Sequence, residues 1–64
     1  MLGEHIRALR INLGLSQQEL ARKIGTSQQH VSFIENNERL PSLKILRKIA
    51  ETFQVTIDEL VSEK

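Results

Sequence analysis

A glycine at position 25, set between two short amphipathic segments, constrains this chain more than any other feature. Upstream of it Leu20, Ala21 and Ile24 share one side at helical spacing, and downstream Val31 and Ile34 do the same. Glycine enters the left-handed region without a side-chain clash, so Gly25 ends the first segment as a helix. Thr26 or Ser27 can then cap the next one by accepting from its free amides. Ala21 is small enough to let the two segments approach closely. The expectation is a pair of helices over about 17–24 and 28–36 that meet at a tight corner.

The rest of the chain supplies helices to pack around that corner. A first helix is expected over residues 2–13, with Leu2, Ile6, Leu9 and Leu13 in one stripe, Arg10 on its flank and Ile11 pointing away. Gly14 is its stop signal. Ser16 and Glu19 have capping-box spacing, and Leu15 and Leu20 can staple the same helix start. Residues 37–41, NERLP, form a loop whose proline discourages helix at Leu40. Ser42 then caps a fourth helix with Leu43, Leu46, Ile49, Ala50 and Phe53 on one face and Ile45 at its edge. Thr56 and Glu59 repeat the capping box, with Val55 and Leu60 as the staple. No repeat, linker or low-complexity tract interrupts this pattern. Residues 1–64 are therefore expected to be one all-α domain, a compact bundle of five helices each too short to stand alone.

Several function classes are hard to reconcile with these residues. The chain has no cysteine, which removes disulfides and thiolate metal sites. Its two histidines, His5 and His30, are not paired at metal-binding spacing, and no glycine-rich phosphate loop is present. A bundle this small offers little volume for a substrate pocket. No enzyme activity, cofactor, metal or small-molecule ligand is expected. No apolar run approaches the roughly 18 residues of a membrane span, and the N-terminus lacks a secretory pattern, so a cytoplasmic location is expected. The net charge of +1 is uninformative, but its distribution is uneven. Residues 1–50 carry +4 and residues 51–64 carry −3, which suits a polyanion on one side and also suits ordinary surface scatter.

The corner itself has the pattern of a helix-turn-helix, whose second helix enters the DNA major groove. The outward face of that second helix carries Gln28, Gln29, Ser32 and Asn36, with Phe33 on its shoulder. Glutamine can pair with adenine N6 and N7 and can donate to guanine, so Gln28 and Gln29 are expected to touch bases, together with Ser32 and Phe33. Phe33 is open to two readings: an apolar contact with a thymine methyl, or a ring folded back onto the bundle. Phosphate contacts are expected from Gln17, Ser27, Asn36, Asn37, Arg39 and Lys44, with Arg22 and Lys48 weaker candidates. Arg10 and Glu35 each flank an apolar stripe, and charged groups so placed are seldom buried unless paired.

The string Gln17-x-x-Leu20-Ala21-x-x-Ile24-Gly25-x-x-Gln28-x-x-Val31-x-x-Ile34-Glu35-Asn36 resembles the helix-turn-helix of the phage repressor and Cro family. The resemblance is closest to lambdoid repressor domains with five small helices, and it includes the LGLSQ entry and the closing VTIDELV segment. It implies a lambda-repressor-like DNA-binding fold. It implies that Gln28 and Gln29 read bases, that Gln17 holds a phosphate and supports the first of them, and that Asn36 and the amides opening the fourth helix meet the backbone. It implies a buried Arg10–Glu35 ion pair. It also implies a homodimer on a palindromic operator, touching near Leu40 and Ile57, with half-sites roughly 34 Å apart. Phe33 departs from the polar residue common in the phage relatives, and Ser32 is small where members vary. Many relatives carry a C-terminal dimerisation or sensing domain, so this sequence is expected to be either a complete small regulator or the DNA-binding part of one.

The resulting expectation is a sequence-specific transcriptional regulator, a repressor by occupancy, whose partner is double-stranded DNA. The alternative is a protein-interaction module, antitoxin-like or adaptor-like, built on the same fold. Steep salt dependence of DNA binding separates the two.

Overall fold

A computed structural model describes residues 1–62. Its elements are α1 (Leu2–Asn12), α2 (Gln17–Ile24), α3 (Gln28–Glu35), α4 (Leu43–Phe53) and α5 (Ile57–Val61). Ser16 and Thr56 make full capping boxes: their hydroxyls accept from the Glu19 and Glu59 amides at 3.0 Å, and those carboxylates accept from the Ser16 and Thr56 amides at 2.8 Å. Ser27 and Ser42 cap α3 and α4 through their hydroxyls. Of the two candidates for the α3 cap, Ser27 holds the place.

Four helices end alike. Gly14, Gly25, Asn37 and Gln54 lie at φ between +58° and +75°. In each case the next amide reaches back to a carbonyl inside the helix: Leu15 to Arg10, Thr26 to Ala21, Glu38 to Phe33 and Val55 to Ala50, at 2.8–3.0 Å. This Schellman geometry satisfies carbonyls that a helix end otherwise leaves open.

The core consists of Ile6, Leu20, Ala21, Ile24, Val31, Ile34, Ile49, Ala50, Phe53 and Leu60. α2 packs chiefly on α3, α1 spans α3 and α5, and α4 backs α2 and α5. Helices of 5–11 residues are stable only through such burial. Two positions depart from the expected stripes. α1 ends at Asn12, so Leu13 is its cap and stands 53% exposed, and Leu43 on the first turn of α4 is 59% exposed. Leu13 follows the last residue of α1 and Leu43 opens α4, so both lie at helix ends, which spacing alone does not distinguish from the covered middle. α3 likewise ends at Glu35, with Asn36 as cap.

α1 is tied down at its first turns by polar contacts. The Gly3 amide donates to Asn37 Oδ1 at 2.9 Å. His5 Nδ1 lies 2.8 Å from the Leu60 carbonyl, which can only accept, so the ring nitrogen donates and fastens α5 to α1. Among the described residues no helix is long and apolar enough to cross a membrane.

Candidate nucleic-acid interface

The corner between α2 and α3 aims the start of α3 outward. Gly25 at φ +75° closes α2, and Thr26 Oγ1 and His30 Nδ1 meet at 2.7 Å, bracing the turn against the first turn of α3. Val31 and Ile34 are buried beneath. With that face committed to the core, Gln28 and Gln29 project as exposed side chains, and neither amide is taken up by another group among the described residues. Ser32 and Phe33 are half-buried beside them.

Phe33 stands outside the core and outside the apolar side chains packed against it. Arg39, from the segment after α3, lays its guanidinium 5.2 Å from the ring centroid. Ser27, Gln29, His30, Phe33 and Arg39 together line one open groove on this side.

The opposite end of α3 is locked. Glu35 is 4% exposed, yet it ends the helix that carries the candidate contacts. Arg10 grips its carboxylate with two donors, Nε at 2.6 Å and Nη2 at 3.1 Å, while Arg10 Nη1 donates to the Leu15 carbonyl at 2.7 Å. Gln17 Nε2 adds a third donor to Glu35 at 3.1 Å. One carboxylate therefore joins α1, the α1–α2 turn, the start of α2 and the end of α3, and no buried side-chain polar atom among the described residues lacks a partner. A buried charge so completely hydrogen-bonded avoids the penalty of an isolated ion.

The six phosphate candidates divide by what their side chains already do. Gln17 spends one amide hydrogen on Glu35, which leaves it a second. The Ser27 hydroxyl accepts from the His30 amide at 3.1 Å, and Asn37 Oδ1 accepts from Gly3. Asn36, Arg39 and Lys44 are exposed, with no side-chain hydrogen bond among the described residues. Lys44 lies in the first turn of α4, where free amides add positive potential.

Gly3 was invisible to motif reasoning. A Cβ placed on it would lie 2.4 Å from the Ile34 carbonyl oxygen, 2.5 Å from that of Glu35 and 2.8 Å from Asn37 Oδ1. It is the point where α1 touches the end of α3, and the available signal was a glycine inside a helical pattern.

Comparison with known proteins agrees with this geometry. A helix-turn-helix family model matches residues 6–60. An uncharacterized HTH-type transcriptional regulator of Archaeoglobus fulgidus is 38% identical over 55 residues, which are 86% of this chain and 79% of that protein. The HTH-type transcriptional regulator SinR of Bacillus subtilis is 35% identical across the whole chain, which spans only 59% of SinR's length. The P22 c2 repressor, solved in complex with a synthetic operator, superposes with a TM-score of 0.94 at 30% identity, covering 100% of this chain and 97% of that one. A five-helix fold, a capped corner and a matched family model lead to one assignment: the chain belongs to the helix-turn-helix family, among its Cro/C1-type, lambda-repressor-like members.

Proposed function

We propose that this protein is a sequence-specific transcriptional regulator that binds double-stranded DNA through α3 in the major groove. The observation that carries the reading is the pair Gln28 and Gln29: exposed, unengaged, and set on the first turn of a helix whose other face is buried. In that position a glutamine amide can make a two-point contact with adenine, worth about 1–3 kcal/mol of discrimination. Asn36, Lys44 and the amides opening α4 supply phosphate contacts that set register without reading sequence. The operator-bound state of the P22 c2 repressor supports the same use of the fold here.

Action as a repressor follows from occupancy alone and needs no chemistry. A homodimer on a palindromic operator is part of the proposal. Leu40, 86% exposed, and Ile57, half-buried at the start of α5, offer the apolar contact between copies. Selection from a random duplex pool tests the whole reading. The expected product is a twofold-symmetric site with half-sites roughly one helical turn apart, bound with an affinity that falls steeply as salt rises. Failure to enrich any sequence at low salt defeats it.

A further inference from the structure

Arg39 belongs to the segment between α3 and α4, yet its guanidinium carbon lies over the ring of an α3 side chain, 5.2 Å from the centroid. Two features hold it there. The Glu38 and Arg39 amides both donate to the Phe33 carbonyl, at 2.8 and 3.2 Å, which folds the segment back over the last turns of α3. Asn37 supplies the reversal, at φ +61°. Phe33 thus anchors the segment through its backbone and Arg39 through its ring. The result opens on the same groove as Gln29, and Gln29 and Phe33 are neighbours four residues apart on the outer ridge of the helix.

A guanidinium held over a ring spends no N–H hydrogen bond on that contact. Its N–H donors lie in the plane and stay free for an acceptor. Among the described residues none of the Arg39 donors is taken by the protein. An arginine waving from a loop acts as a point charge for any phosphate. One held against a ring gives up less freedom on binding and presents its fork in a set direction. That is what two-point recognition of guanine O6 and N7 requires.

We infer that Phe33 is a positioning residue for Arg39, and that Arg39 determines specificity by reading a guanine edge beside the bases met by Gln29. This assignment rests on α3 entering the major groove. It moves Arg39 from a sequence-blind phosphate contact to a base reader.

The test uses the whole chain and the duplex recovered by selection. Each guanine is replaced in turn by 7-deazaguanine, which removes the N7 acceptor and leaves base pairing intact. One replacement per half-site should weaken the parent about tenfold, and should weaken Arg39→Lys far less, because lysine has no fork. Phe33→Leu should lose the same guanine preference, and Phe33→Tyr should keep it, with thermal melts confirming that both are folded. The slope of affinity against salt should barely change in Arg39→Ala. A uniform loss across all duplexes with a slope reduced by about one would identify a phosphate contact and overturn the assignment. Retention of the guanine preference in Phe33→Leu overturns the positioning role. If selection recovers no site at all, the DNA-binding reading fails first and this assignment with it.

Discussion

At its C-terminal end α3 is gripped by Arg10, Gln17, Gly3 and Asn37, all within hydrogen-bond or contact distance, and its last carboxylate is buried. Seven residues earlier Gln28 meets no side-chain partner among the described residues. One short helix is therefore rigidly mounted at one end and chemically vacant at the other. The arrangement teaches how a domain this small holds a reading head steady. The satisfied polar groups are concentrated where they orient the helix, and the unsatisfied ones are left where a ligand can complete them. Mutations at the two ends should accordingly separate folding from binding.

The sharpest break is at the mounted end. Arg10→Met leaves Glu35 buried without its main partner and should cost about 3 kcal/mol in urea or thermal unfolding. Replacing both, Arg10→Met with Glu35→Leu, should cost clearly less. Equal melting of Arg10→Met and the parent would mean that the grip does not orient α3.

At the vacant end the effect should be on affinity alone. Gln28→Ala or Gln29→Ala should weaken binding to the selected duplex by about 1–3 kcal/mol, with unfolding changed by no more than about 0.5 kcal/mol. A matching loss of stability would show that these side chains support the fold.

Gly3→Ala returns to the mounted end by another route. The added methyl meets backbone oxygens at 2.4–2.5 Å, so α1 must shift. Overpacking costs about 1–3 kcal/mol, and the better helix propensity of alanine offsets up to about 1 kcal/mol. A net loss of about 1 kcal/mol or more is expected by calorimetry. A gain would show that α1 can slide.

A finer comparison sets two left-handed helix ends side by side. Gln54→Gly removes left-handed strain of about 1–2 kcal/mol, part of which glycine's greater freedom in the unfolded chain offsets, and should stabilise by about 0.5 kcal/mol. Asn37→Gly relieves less, since asparagine tolerates that region, and it deletes the bond from the Gly3 amide. It should stabilise less than Gln54→Gly or destabilise.

The smallest effect is acid-dependent and lies outside α3. Hydrogen bonds from the backbone and then the side chain of Ser16 hold the Glu19 carboxyl below its ordinary 4.5, and those of Thr56 do the same for Glu59. A depressed carboxylate stabilises the fold above its unfolded value, and that contribution fades as pH falls through the folded one. Glu19→Gln with Glu59→Gln should therefore flatten the loss of melting temperature on acidification below 4.5. Identical acid limbs would show that the boxes add nothing through charge.

Much of this was legible in the sequence because it is local. The Gly25 corner and both capping boxes depend on residues within four positions of each other. The outward placement of Gln28 and Gln29 follows once Val31 and Ile34 are assigned inward. The remainder depends on which helix end lies against which. Periodicity gives a face but not the length over which that face is covered, hence the exposed Leu13 and Leu43. It carries no information on Gly3 against the Ile34 carbonyl, or on Arg39 folding back to Phe33. Nor does it show the bond that one amide hydrogen of Gln17 makes to Glu35.

The bond between His5 and Leu60 spans 55 positions of the chain. On a ribosome the first helix emerges long before its last polar partner is made. Until then it has only partial support, and an isolated helix of 11 residues is marginal in water. The bundle can therefore close fully only once Leu60 has emerged from the ribosome, so the domain is expected to fold in a single late step and not helix by helix.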